Sequence, residues 1–210
     1  TYNKPELIKY NINSNEMVIY NSSNSIINDS MFISDIAIDK KDNIWIGCNG
    51  LIKFDGAHFT KYTSKNTEIP VDYVHSITFD SKDNIWFSSS SHREGGLVKY
   101  DGANWTVFTP DNSELPVNGV MSIAIDKNDN IWLAQYTYLG VSSLVKLSNN
   151  AWTVYTDQEL GFTPVWWGNI EVNSKGQVCG AINYTYSDMA HNPKPQAIIF
   201  DGVSCKHLQF

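Results

Sequence analysis

The chain has 210 residues, 42% hydrophobic and 13% aromatic, so it carries the apolar material for a sizeable core and does not read as disordered. Its formal net charge of −7 argues against a broad basic face and so against a nucleic-acid partner. No apolar run reaches the ~18 residues a membrane-crossing helix needs, and no signal peptide is legible. Cys48, Cys179 and Cys205 are too few and too far apart for a disulfide framework or a CxxC metal site.

In chain order, residues 1–21 supply a half-unit, "ELIKYNINSNEMVIYN" at 6–21, which reads as two short strands. Four fuller units follow, at about 33–63, 74–109, 120–156 and 167–210. Each opens on an alternating segment: "SDIAID", "HSITFD", "MSIAID" and "GNIEVN". A turn then leads to "NIWIG", "NIWFS", "NIWLA" or the degenerate "QVCG", short apolar runs suited to burial on both faces. The third segments are "LIKF", "LVKY", "LVKL" and "AIIF", and the fourth are "FTKY", "WTVF", "WTVY" and "CKHL". Trp45, Trp86, Trp132 and Cys179 mark the register, 41, 46 and 47 residues apart. β-Branched and aromatic residues dominate, and no helical period is present. Four-stranded units at this spacing predict an all-β fold, a β-propeller of four full blades plus a leading half blade, in one domain or propeller segment. A two-sheet sandwich is the alternative, but it has no reason to repeat its sequence so closely.

The stretches "NIWIGCNGLIKFDG" and "NIWFSSSSHREGGLVKYDG", with the linkers "NTEIP" and "NSELP", resemble the two component regulator propeller repeats. Such repeats occur in periplasmic sensor domains of Bacteroidetes hybrid histidine kinases and in surface or secreted proteins of the same bacteria. The resemblance implies a periplasmic or cell-surface binding or sensor module without catalysis, taking a carbohydrate, another small ligand or a partner protein. It departs from those sensors in having too few blades for a seven-bladed ring, no kinase and no evident membrane helix. The expectation is a segment of a longer protein; an unusual five-unit ring with one incomplete blade is the other arrangement.

The connections divide into two sets. Turns between first and second strands and between third and fourth strands are short, and "FDGA", "YDGA" and "SNNA" predict two-residue type I′ turns. Connections on the opposite face are long: "SSSSHREGG" (88–96), "QYTYLGVSS" (135–143), "NYTYSDMAHNPKP" (183–195) and "DQELGFTPVWW" (157–167). Function concentrates on variable loops held by a rigid frame. The candidate ligand residues are therefore Tyr136, Tyr138, Tyr184, Tyr186, Trp166, Trp167, His92, Arg93 and His191, with His75 at the start of an inner strand facing the axis. Tyr and Trp rings beside polar groups suit a sugar. The plain alternative is that these aromatics cover the blade tops and pack on one another. A competing class is a lyase or glycan-active hydrolase using His92, Glu94, His191 and Asp188, but no nucleophile elbow, phosphate loop or zinc spacing is present. No cofactor and no metal site are expected.

The motif "DKKDNIW" (39–45) returns as "DSKDNIW" (80–86) and "DKNDNIW" (126–132), and its fourth copy is "NSKGQVC" (173–179). A metal ligand would not become glycine. Asp42, Asp83, Asp129 and Gly176 therefore read as positive-φ turn residues, and Asp39, Asp80, Asp126 and Asn173 as acceptors capping the turn.

Overall fold

The computed structural model describes residues 4–91, 94–136, 142–161, 164–185 and 196–208. Their architecture is all β: four four-stranded antiparallel sheets and one two-stranded sheet, each pairing neighbours in chain order, as in propeller blades. The half blade is β1 (Leu7–Asn11) with β2 (Glu16–Tyr20). The first full blade holds β3 (Asp35–Ile38), β4 (Ile44–Cys48), β5 (Gly50–Phe54) and β6 (Phe59–Tyr62). The second holds β7 (Val74–Phe79), β8 (Ile85–Ser90), β9 (Gly95–Tyr100) and β10 (Trp105–Phe108). The third holds β11 (Val120–Ile125), β12 (Ile131–Tyr136), β13 (Ser142–Ser148) and β14 (Ala151–Tyr155). The fourth holds β15 (Pro164–Val172), β16 (Val178–Thr185), β17 (Gln196–Phe200) and β18 (Cys205–Leu208).

The core lies in slabs between successive sheets. Leu7 and Ile27 pack with Ile46, Ile52 and Phe54. Trp45 and Leu51 meet Ile77, Phe87 and Val98. Trp86 and Leu97 meet Ile123, Leu133 and Val145. Trp132 and Leu144 meet Trp167, Ile170, Ile182 and Phe200. Second strands are therefore covered on both sides, which is why they read as continuous apolar runs. Each marker tryptophan is layered between an aromatic ring and a lysine. Trp45 stacks on Tyr62, Trp86 on Phe108 and Trp132 on Tyr155, with centroids 5.8, 5.9 and 5.8 Å apart. Lys53, Lys99 and Lys146 lie over the same three indoles.

Hydrogen bonds also join the blades. Ile77 N donates to Asp35 Oδ2 at 2.7 Å, Ile123 N to Ser76 Oγ at 3.1 Å and Ile170 N to Ser122 Oγ at 3.0 Å. This ladder runs along the inner strands, where each blade offers one acceptor to the next. On the tight-turn face Lys40 N donates to Asp83 Oδ1, and Ser81 N donates to Asp129 Oδ1.

Three local expectations are corrected. The Asp-Gly turns are not two-residue type I′ turns. Asp55 Oδ1 accepts from Ala57 N and His58 N, which closes a four-residue loop in which only Gly56 takes positive φ, 97°. Asp101 and Asp201 repeat this arrangement. Only the Asn149–Asn150 pair, at φ 48° and 64°, matches the expected turn. Next, the serine tract is strand rather than loop: Ser88, Ser89 and Ser90 are buried in β8, and Ser89 and Ser90 pair with Gly96 and Gly95. Finally, residues 157–160 form a single helical turn whose buried Leu160 plugs the core as Ile69 and Leu115 do in the other connections.

Candidate functional site

The inner strands of the second and third blades both start with a register shift against their neighbours, between Val74 and Ile77 and between Val120 and Ser122. These bulges leave backbone donors off the ladder. Small serines recover them: Ser88 Oγ accepts from His75 N and Ser76 N, each at 3.1 Å, and Ser90 Oγ links to both the N–H and the C=O of Val120. The bulged strand starts turn Tyr73, His75, Gly119 and Met121 toward one shared recess.

That recess has a volume of about 260 Å³ and lies where the second and third blades meet at the end of their inner strands, on the long-loop face. Tyr73, His75, Ser91, Gly119, Met121 and Tyr136 line it. Its walls are mainly apolar. Tyr73 is 59% exposed, and its ring lies 6.1 Å from the His75 imidazole at a tilt of 33°. Tyr136 closes the far side, its N–H donating to Gly119 O at 3.0 Å. His75 also lines a second, polar cavity of about 250 Å³ along the inner strands, with Asp35, Thr78, Asn169 and Glu171. It is the residue common to the recess and the axial cavity.

The structure thus brings together His75 and Tyr136 of the sequence candidates. Trp167 does not join them. It is 1% exposed and packs in the core beside Trp132, Ile170 and Ile182, because its alternating position on β15 points into the slab between blades. Trp166 and Tyr184 are paired strand residues of β15 and β16, and their side chains lie outside the described residues. Tyr138, Tyr186, His92, Arg93 and His191 also lie outside them, as does Asp188 of the enzyme alternative. Glu94 N donates to Ser91 Oγ in a short turn beside the recess. Among the described residues no three His, Cys, Asp or Glu side chains could hold a metal ion.

Tyr73, Gly119 and Met121 are lining residues that loop length and composition do not single out. A signal was available, since the position two residues before His75 and its counterparts holds Phe32, Tyr73, Gly119 and Trp166. Three aromatic rings and one glycine at one place in the repeat mark the blade that differs.

The opposite face is built of turns. Asp39 Oδ1 accepts from Lys41 N and Asn43 N, and Oδ2 accepts from Asn43 Nδ2 and Trp45 Nε1. Asp80 repeats all four bonds with Lys82, Asn84 and Trp86. Asp126 keeps those to Asn128 and Asn130, while Trp132 Nε1 falls outside normal hydrogen-bond geometry. Burial alone would raise these carboxyls, but the combined hydrogen bonds outweigh it and hold all three below the ordinary aspartate value. Asp42, Asp83, Asp129 and Gly176 take φ of 62°, 67°, 59° and 78°. These carboxylates have their work in the turn and between blades.

Residues 26–50 match the family model of the two component regulator propeller. No curated protein matches the chain. Among solved structures, extracellular domains of two hybrid two component systems of B. thetaiotaomicron superpose with a TM-score of 0.62 each, at 14% and 17% identity over 86% and 91% of this chain. PorZ, a surface component of the type-IX secretion system of Porphyromonas gingivalis, superposes with a TM-score of 0.60 at 14% identity over 97% of it. The chain spans 22%, 30% and 36% of those three structures. At such identities the likeness establishes the propeller fold.

Proposed function

We propose that this propeller, which carries a two component regulator repeat at residues 26–50, is a non-catalytic binding or sensor module working in the periplasm or at the cell surface. Its ligand or partner is taken on the long-loop face. The observation that carries this reading is the recess between the second and third blades, where an exposed tyrosine, a histidine and a second tyrosine converge from two bulged strands. Concave, largely apolar sites with a few placed polar groups are the usual form of a small-ligand site. Carbohydrate is the ligand class that fits: the apolar face of a sugar ring stacks on tyrosine while His75 and hydroxyl groups meet its edge. The settings of the structural relatives, named as extracellular or surface components, support the location.

The test is a glycan-array and solution-binding comparison of the native chain with a Tyr73→Ala, Tyr136→Ala double variant. The double variant is expected to bind about tenfold or more weakly, the loss of ~1.4 kcal/mol or more that a ring anchor gives, with little change in melting temperature. A large fall in melting temperature with affinity intact would refute it.

A further inference from the structure

We infer that the recess is a slot for a single uncharged ring, and that Gly119 is the residue that opens it. This deepens, and rests on, the assignment of the long-loop face as the binding face.

The repeat supplies the first argument. At the position two residues before the His75 counterpart, the first, second and fourth blades carry Phe32, Tyr73 and Trp166, and the third carries Gly119. Gly119 is not a positive-φ glycine, so its backbone does not require the residue. Space does: a Cβ there would stand 2.3 Å from Tyr136 O and 3.5 Å from the Tyr136 ring. The Gly119 carbonyl holds the Tyr136 amide as the Tyr73 carbonyl holds the Ser90 amide in the second blade, but here the Tyr136 carbonyl comes so near that only glycine leaves room for it. The Tyr136 ring then forms the wall of the recess on the side of the third blade.

The remaining walls define what fits. Tyr73 faces the slot from the second blade with more than half its surface open. Met121 supplies a soft, adaptable lining. Among the described residues no Lys, Arg, Asp or Glu lines the recess. Among those described residues a charged group would find no counter-charge to offset its lost hydration. The volume, about 260 Å³, lies below the ~300–1,000 Å³ of ordinary drug-sized pockets. The described part of the recess has room for one ring system. The recognised chemistry is a flat, uncharged ring face with a hydrogen-bonding edge, which either a pyranose or an aromatic group can supply.

The experiment is a ¹H–¹⁵N NMR titration of the full chain with four probes: methyl β-glucopyranoside, indole, benzoate and benzylamine. One of the two neutral probes is expected to shift the amides of His75, Gly119 and Tyr136 at concentrations at least about tenfold lower than either charged probe, and which one identifies the source of the ring. Met121→Trp, which fills the slot, removes those shifts while the rest of the spectrum persists. Tyr73→Ala, at an exposed position, weakens them without touching the core. Charged probes binding as well as neutral ones, or shifts that survive Met121→Trp, would overturn the inference, as would silence from both neutral probes. Shifts confined to other loop-face residues would sink the slot and leave the loop-face assignment standing. A tight-turn-face response would sink both.

Discussion

Asp80 shows why a residue that looks like a metal ligand is better described as a hub. Its two carboxylate oxygens take four donors, two backbone N–H groups, the Asn84 amide and the Trp86 indole, at 2.7–3.0 Å. In the fourth copy the acceptor becomes Asn173, and its donors change with it. Gln177 and Cys179 replace Asn and Trp, and Asn173 Nδ2 now donates to Gln177 Oε1. The swap is consistent only as a set. Asp80→Asn alone would point an N–H₂ at two donors, so it is expected to cost ~1–3 kcal/mol, a fall in melting temperature of about 2–4 °C per kcal/mol. Thermal unfolding of the variant checks this. The pH dependence follows the same group. Its folded pKa is depressed, so its contribution is fully present above the ordinary aspartate value of 3.8 and is lost as pH falls through the folded value. Acid unfolding of Asp80→Asn is expected to be shallower than that of the native chain below about pH 4. The roles of the paired aspartates were legible in the sequence because a degenerate copy stood beside three regular ones. The Trp nitrogen as fourth donor was not, since spacing alone does not tell which way an indole turns.

Blades are fastened to each other by their turns. Asp83 reaches back to Lys40, and Asp129 to Ser81 through both oxygens, at 2.8 and 2.5 Å. Gly176 stands in that place in the fourth blade and has no carboxylate to offer Lys127. It has the left-handed φ of its aspartate counterparts, and nothing lies within 4 Å of a Cβ built on it. Gly176→Asp is therefore expected to gain about 0.5–1 kcal/mol from one hydrogen bond against about 1 kcal/mol for an L side chain in the left-handed region, so the melting temperature is expected to stay within about 2 °C of the native value. A fall of more than about 4 °C would mean that the bond between the third and fourth blades does not form. Strand existence and order were readable from periodicity and the tryptophan register. Strand ends were not. "SSSSHREGG" has the composition of a loop, yet Ser88, Ser89 and Ser90 sit inside the sheet because their hydroxyls satisfy bulge and connector backbone groups. Likewise 157–167 read as a functional loop, whereas a Thr156–Glu159 capping box and buried Leu160 make its first part a structural plug.

At the scale of the molecule, the two faces are built on different principles. One repeats the same turn in each blade, with its carboxylates consumed by the fold. The other carries irregular connections, the bulged strand starts and the recess at the second and third blades. That asymmetry is legible in loop lengths, which point to Tyr136, whereas His75 is legible from its place at the start of an inner strand. What the sequence hid was the recess itself: the glycine at 119 among aromatic counterparts is legible, but the bulges that turn the strand starts toward one another are announced by no spacing. The measurement that tests this division most directly is a paired comparison of affinity for the glycan or protein that the native chain binds best. Tyr73→Ala with Tyr136→Ala alters the loop face, and Lys41→Ala with Lys82→Ala alters exposed lysines beside the tight turns. The account predicts a loss of about tenfold or more for the first pair and none beyond error for the second; equal losses, or a loss confined to the lysine pair, would contradict it.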